Sequence, residues 1–192
     1  MELEIERKWL TDESIKSQII RNGFSRIRQA YLSPTTRIRV DMVGEDDGSA
    51  VITIKNRVSE LTVKEYNFSI PVDEALELLQ DLDVIEKTRF NIGLTEDRES
   101  TGFTLDVFGG QLEGLLLIEK EYESEEAAAD DEPPEDWAVV EVTGDPRFIN
   151  ANLGDKRFDS ESGIQPRLES NELMILEGNE EEAEFDPHYP IG

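Results

Sequence analysis

Hydrophobic and polar residues alternate in short runs along most of this chain, the period of strands with one apolar and one polar face. The clearest runs are Glu2–Leu10, Thr36–Met42, Ala50–Lys55, Val63–Pro71, Thr88–Asn91, Phe103–Phe108, Leu115–Tyr122 and Trp137–Val142. Most are rich in Ile, Val, Leu or aromatic residues, and turn signals such as Asp47-Gly48 and Gly109-Gly110 close several of them. Helical spacing is rarer. Ala75, Leu78, Leu79 and Leu82 predict a helix over Asp73–Leu82, begun after Pro71. A second helix is predicted from Pro146 to Leu153, with Asp145 as N-cap and Gly154 just past the end. Thr11–Asn22 reads as a third, stopped by Gly23. The acidic stretch Glu123–Asp136, with its Pro133-Pro134 pair, and the chain after Asn171 read as poorly ordered.

Composition narrows the chemistry. The chain has 192 residues, enough for one domain with a core, and its formal charge is −26. A field of that sign repels nucleic acid and anionic membranes, so neither is an expected partner. Any anion site must then be a local pocket of Lys and Arg. With no cysteine and a single histidine, His188, thiolate metal sites are excluded and a bound metal is left to oxygen ligands. Early charges (Glu2, Glu4, Glu6, Arg7, Lys8) do not fit a signal peptide, and no apolar run approaches the roughly 20 residues of a membrane span. A cytoplasmic protein is the expectation; assembly as a homodimer is left open.

The polar faces carry an unusual set of residues. Glu4, Glu6 and Lys8 share one face of the first strand, Arg37 and Arg39 one face of the next. Lys55 shares a face with Thr53 and Val51, Lys87 and Arg89 are two apart, Asp106 sits between Leu105 and Val107, and Glu119 and Glu121 pair in an otherwise apolar strand. Solvent-facing strands would mix such charges with Asn, Ser and Gln. A barrel with a charged lumen fits better. Glu4, Glu6, Glu65, Asp106, Glu119 and Glu121 give six acids against the six bases Lys8, Arg37, Arg39, Lys55, Lys87 and Arg89. The expected lumen is near neutral inside a strongly acidic chain. Divalent cations would satisfy its carboxylates and a triphosphate its bases.

These residues fall in a known pattern. Glu4-Ile5-Glu6-Arg7-Lys8 resembles the ExExK signature of the CYTH, or triphosphate tunnel metalloenzyme, superfamily. In order there follow Gln29-Ala30-Tyr31-Leu32, Arg37-Ile38-Arg39-Val40, Thr53-Ile54-Lys55, Glu86-Lys87-Thr88-Arg89-Phe90, Asp106-Val107-Phe108, Glu119-Lys120-Glu121 and Glu141-Val142-Thr143-Gly144-Asp145-Pro146-Arg147-Phe148. The resemblance covers about residues 2 to 153 and is strongest to stand-alone tripolyphosphatases.

It implies an α+β fold: an eight-stranded antiparallel β-barrel, the triphosphate tunnel, with helices packed outside over residues 1–165, then an acidic tail over 166–192. It implies metal binding, Mg²⁺ or Mn²⁺, by Glu4, Glu6, Glu119 and Glu121, with Asp106 and Glu65 as further acids for a second ion. Triphosphate binding falls to Lys8, Arg37, Arg39, Lys55, Lys87 and Arg89, with Lys8, Lys87 and Arg89 also catalytic. The strand over Val63–Ile70 departs from the pattern, since Asn67 and Ser69 stand where further acids are common. The implied activity is metal-dependent hydrolysis of tripolyphosphate or a related triphosphate. Alternatives are a class IV-type adenylyl cyclase, to whose base pocket Trp9, Phe68 or Tyr31 could contribute, and a module that binds polyphosphate or a nucleotide.

Overall fold

Strand after strand pairs antiparallel with its neighbour until the last returns to the first. The computed structural model describes residues 2–17, 20–43, 48–93, 100–134, 137 and 139–154. Its strands are β1 (Glu2–Leu10), β2 (Ile20–Ser33), β3 (Thr36–Met42), β4 (Ser49–Arg57), β5 (Thr62–Ile70), β6 (Ile85–Gly93), β7 (Ser100–Phe108), β8 (Leu116–Glu121) and the two-residue β9 (Val140–Glu141). The order is β5-β4-β3-β2-β6-β7-β8-β1, and β1 pairs with β5 through Glu2–Ile5 to close an eight-stranded barrel. β9 lies against Trp9 and Leu10, beyond the reach of β5. Closure leaves no long edge to aggregate, and eight strands enclose just enough room for side chains and a small ligand.

Three apolar clusters hold the barrel. On its outside, Trp9, Phe90, Phe103, Leu105 and Ile118 pack with Ile15 and Trp137. Phe103 meets Trp9 and Trp137 edge to face at 5.8 and 5.2 Å between centroids, contacts of about 1 kcal/mol each beyond area burial. The helix α1 (Val72–Leu79) buries Ala75 and Leu79 on the outer face of β2, β3 and β4, against Ala30, Ile38 and Val40. The third cluster lies at one end of the lumen. Leu10, Ile85, Phe108 and Leu117 continue the inner faces of their strands, and Leu112, Leu115, Val142, Phe148 and Leu153 pack against them. No helix among the described residues is long and apolar enough to cross a membrane.

Four expectations change. Thr11–Asn22 is not a helix: a 3₁₀ turn spans Glu13–Ser17, and β2 begins at Ile20. The spacing of Ile15, Ile19 and Ile20 imitates a helix, and Gly23 is no stop signal. It sits at φ +91° where the β2–β6 register shifts, a bulge conformation that glycine adopts without steric cost. Of Trp137–Val142 only Val140–Glu141 pairs, so β2 is the barrel's eighth strand. The Pro146–Leu153 helix divides at Ile149, whose extended backbone (φ −74°, ψ 124°) separates a 3₁₀ turn over Pro146–Phe148 from the single turn α3 (Asn150–Leu153). Asp145 caps the first piece, accepting from the Arg147 N–H at 3.0 Å.

The last change is in the acidic stretch, which carries an ordered turn, α2 (Glu125–Ala129), capped by Ser124. Arg7 holds it from the outside of the barrel, donating to the Ala128 carbonyl at 2.7 Å and to both carboxylate oxygens of Glu141 at 2.9 Å. The chain from 155 onward, including the 166–192 tail, lies outside the described residues.

Candidate functional site

Residues directly opposite in an antiparallel pair share a face, so register decides what enters the lumen. Glu6 stands opposite Glu121 and Lys8 opposite Glu119. Arg89 stands opposite Asp106, Lys55 opposite Glu65, Arg37 opposite Tyr31 and Arg39 opposite Gln29. Glu4 and Lys87 follow by the period of two. All twelve charged residues expected inside the barrel share its inner face. Lys87 and Arg89 do not adjoin Arg37 and Arg39, however, because β2 runs between the two strands and brings Ile27 and Gln29 with it.

On the β1, β6, β7 and β8 side the charges satisfy one another. Lys8 Nζ lies 2.6 Å from Glu119 Oε1 and 2.9 Å from Glu6 Oε1. Arg89 donates through Nε and Nη2 to the two oxygens of Asp106, each at 2.7 Å, and Nη2 also meets Glu119. Lys87 meets the same Asp106, which has no exposed surface. Burial alone would raise the carboxyl of Asp106, but Arg89 and Lys87 hold it below the ordinary range. Glu119 is held well below for the same reason, by Lys8, Arg89 and Lys87. Burial lowers the Lys87 ammonium despite Asp106. Lys8 goes the other way: burial opposes its charge, and Glu119 and Glu6 more than offset that.

The β2, β3 and β4 side is wired differently. Arg37 donates to the Thr53 hydroxyl at 3.2 Å and makes no salt bridge among the described residues. Arg39 makes its one salt bridge among the described residues with Asp41, near the far end of its strand. The Nε of each arginine is buried without a hydrogen-bond partner among the described residues, and so are both polar atoms of the Gln29 amide. Thr53 in turn donates to Asn67 at 2.8 Å, so the residue standing in place of an acid is used as a neutral acceptor. Lys55 bridges the two sides, with Glu4 at 2.6 Å and Glu65 at 2.5 Å.

The carboxylates offer oxygen donors that suit a hard cation. Burial, then Glu4, Glu6 and Glu119 nearby, push the Glu121 carboxyl up. No three acidic side chains among the described residues stand close enough to ligate one ion in this conformation. Glu4, Glu6 and Glu119 each reach instead to a lysine or arginine. In chemistry these oxygen donors suit a divalent ion; in this conformation they are spent on bases. Asp106 fits less well, since Lys87 and Arg89 already occupy both of its oxygens.

A cavity of about 120 Å³ leads from Glu6, Lys8, Tyr31 and Lys55 to exposed Arg57, Glu60 and Gly144. Gln29 is a lumen residue whose place sequence reasoning missed, and Tyr31, named from the sequence only for a base pocket, also faces the lumen; the alternation Ile27, Gln29, Tyr31 would have shown both faces had β2 been read as a strand. Burial raises the Tyr31 hydroxyl despite Arg37 and Lys55 beside it. Trp9 belongs to the outer cluster, and Phe68, paired with Ile52, is exposed on the outer face, so neither enters the lumen.

A closed antiparallel barrel lined by alternating acids and bases defines a polyanion-binding tunnel protein. No protein-family profile matches the chain. It is 34% identical over 155 residues to an inorganic triphosphatase of Acetivibrio thermocellus, covering 78% of this chain and 92% of that protein. An inorganic triphosphatase of Nitrosomonas europaea is 33% identical over 154 residues, covering 78% and 95%. A solved structure described as the inorganic triphosphatase NE1496 aligns over 80% of this chain and 95% of its own, at 33% identity and a TM-score of 0.49. On the strength of the two sequence relatives, the chain belongs to the triphosphate tunnel family that includes these inorganic triphosphatases.

Proposed function

We propose that this chain hydrolyses inorganic tripolyphosphate or a closely related triphosphate, and that the reaction depends on a divalent cation. The observation that carries the reading is the division of the lumen: a Glu121 carboxyl raised by Glu4 and Glu6 nearby, and on other strands Arg37 and Arg39, whose buried Nε groups have no acceptor among the described residues. Unpaired buried donors match a ligand that only accepts, and phosphoryl oxygens are such acceptors. The relatives named inorganic triphosphatase support the same substrate.

Arg37, Arg39 and Lys55 bind and orient the phosphoryl chain. Lys8, Lys87 and Arg89 leave their carboxylate partners in part and take phosphoryl oxygens, stabilising charge spread over the group in transfer. Mg²⁺ or Mn²⁺ held by Glu4, Glu6, Glu119 and Glu121 would supply charge screening and a water of lowered pKa. Glu65 stays with Lys55, and Asp106 keeps Lys87 and Arg89 in place. Water oxygen bonds to a terminal phosphorus, the bridging P–O bond breaks with its electron pair on the departing pyrophosphate, and the water's proton leaves with the products. The apolar floor at Leu10, Ile85, Phe108 and Leu117 keeps bulk water from that end.

A phosphate-release panel tests this, with tripolyphosphate, ATP and thiamine triphosphate in Mg²⁺, Mn²⁺ or EDTA and the ATP arm assayed also for cyclic AMP. Orthophosphate from tripolyphosphate, abolished by EDTA, is the expected result. Cyclic AMP as the main product would establish a cyclase, and binding without turnover a binding module.

A further inference from the structure

Gln29 is a buried lumen residue whose side-chain amide makes no hydrogen bond among the described residues. It lies on the inner face of β2, opposite Arg39 on one side and Ile85 on the other, between Ile27 and Tyr31 in its own strand. It has no exposed surface, and neither its Oε1 nor its Nε2 has a partner among the described residues. Each unmade bond of a buried amide is unfavourable, so an apolar residue of the same length would hold this position better if packing alone were at stake. The same wall leaves the Nε groups of Arg37 and Arg39 unpartnered. Buried donors without acceptors therefore gather on β2 and β3, whereas Lys8, Lys87 and Arg89 all have acids.

We propose that Gln29 is a further substrate-contact residue. Its amide N–H donates to a phosphoryl oxygen held between Arg39 and the floor of the lumen, and its carbonyl accepts from a P–OH or water hydroxyl brought in with that group. This rests on the triphosphate reading above and adds to it a neutral contact that can distinguish a protonated or hydrated phosphoryl end from a fully ionised one. Neither Arg37 nor Arg39 can do that, because a guanidinium has no acceptor.

The assignment predicts opposite changes in two measurements. In Gln29→Met the free protein keeps its volume and loses the unmet hydrogen bonds, so its melting temperature rises or holds. Its affinity for tripolyphosphate, titrated calorimetrically in EDTA so that no turnover occurs, falls about tenfold. Gln29→Glu, which turns a carboxylate toward the phosphoryl oxygens, binds more weakly still. Affinity within twofold of wild type in Gln29→Met overturns the assignment, as does a large fall in melting temperature with affinity retained, the result for an amide satisfied by a structural water. Arg37→Ala is the control. If it weakens binding and Gln29→Met does not, only the Gln29 assignment fails. If the wild-type protein neither binds tripolyphosphate in EDTA nor releases orthophosphate from it in Mg²⁺ or Mn²⁺, the triphosphate reading fails and takes this one with it; if it releases orthophosphate but does not bind in EDTA, the Gln29 contact alone is overturned.

Discussion

Two walls of one lumen, built from the same alternating strands, treat their charges in different ways. On β1, β6, β7 and β8 every base has its acid, and the chain Lys8–Glu119–Arg89–Asp106–Lys87 is continuous. On β3, Arg37 has the Thr53 hydroxyl and Arg39 a salt bridge to Asp41 of its own strand, and the Nε of each has no partner among the described residues. The first wall can stand without a ligand, because the cost of burying its charges is offset within the protein. The second leaves the Nε groups of Arg37 and Arg39 without acceptors among the described residues. Substitutions on the first wall should therefore act on stability and binding together, and those on the second on binding alone.

The largest effect is expected at Asp106. Asp106→Asn keeps the volume but leaves Lys87 and Arg89 without the carboxylate that both share. Breaking a buried pair from one side costs about 3–5 kcal/mol. The melting temperature should therefore fall by roughly 10 °C, measured by thermal denaturation without metal. A change of a degree or two would mean that water reaches this pair and the first wall is not self-sufficient.

Arg89→Ala and Arg37→Ala sharpen the contrast. Loss of Arg89 removes two bonds to Asp106 and one contact with Glu119, so both stability and tripolyphosphate affinity should drop. Loss of Arg37 removes a single bond to Thr53, so affinity should drop at least tenfold while stability changes by less than about 1 kcal/mol. Lys16, paired with Glu13 outside the barrel, serves as the reference: Lys16→Ala should alter neither by more than about 0.5 kcal/mol. Equal stability losses at Arg37 and Arg89 would dissolve the distinction between the walls.

How much of this could be read from the chain depended on which wall a strand belonged to. Alternation identified β1, β3, β4, β7 and β8 because their outer faces are aliphatic or aromatic and their inner faces charged. β2 broke the rule on both counts. Its outer face carries Arg26 and Arg28, its inner face carries Ile27 and Gln29, and a bulge at Gly23 interrupts the period. The twelve charged lumen residues were legible, since each sits on a recognisable strand. Their pairing was not. Period two places a side chain on a face, but only the strand order says that Arg89 meets Asp106 while β2 separates it from Arg39. Arg7 was legible as an outer-face residue; its grip on Ala128 and Glu141 depends on a loop with no periodic signal.

The smallest effect concerns Glu121, where the two walls open toward the acids of β1. Burial and the neighbouring Glu4 and Glu6 raise its carboxyl, so the folded protein holds that proton more tightly than the unfolded chain. Above its folded value Glu121 detracts from stability, and the deficit vanishes as the pH falls toward the unfolded value of about 4.3. Asp106 and Glu119, both lowered, behave oppositely. Their contribution is present above an unfolded value of about 4 and is lost only as the pH falls through their depressed folded values. The metal-free protein should hold or gain stability from pH 7 down to about 5 and lose it below about 4. Glu121→Gln should abolish turnover by removing a proposed cation ligand. In EDTA it should melt slightly higher than wild type at pH 7 and lack the rise on mild acidification. Solvent screening at this exposed side chain keeps the difference to about 0.5 kcal/mol, so melting curves of both proteins should be collected at half-unit pH steps. If the two curves run parallel from pH 7 to 5, Glu121 is not crowded by Glu4 and Glu6, and the place proposed for the cation is wrong.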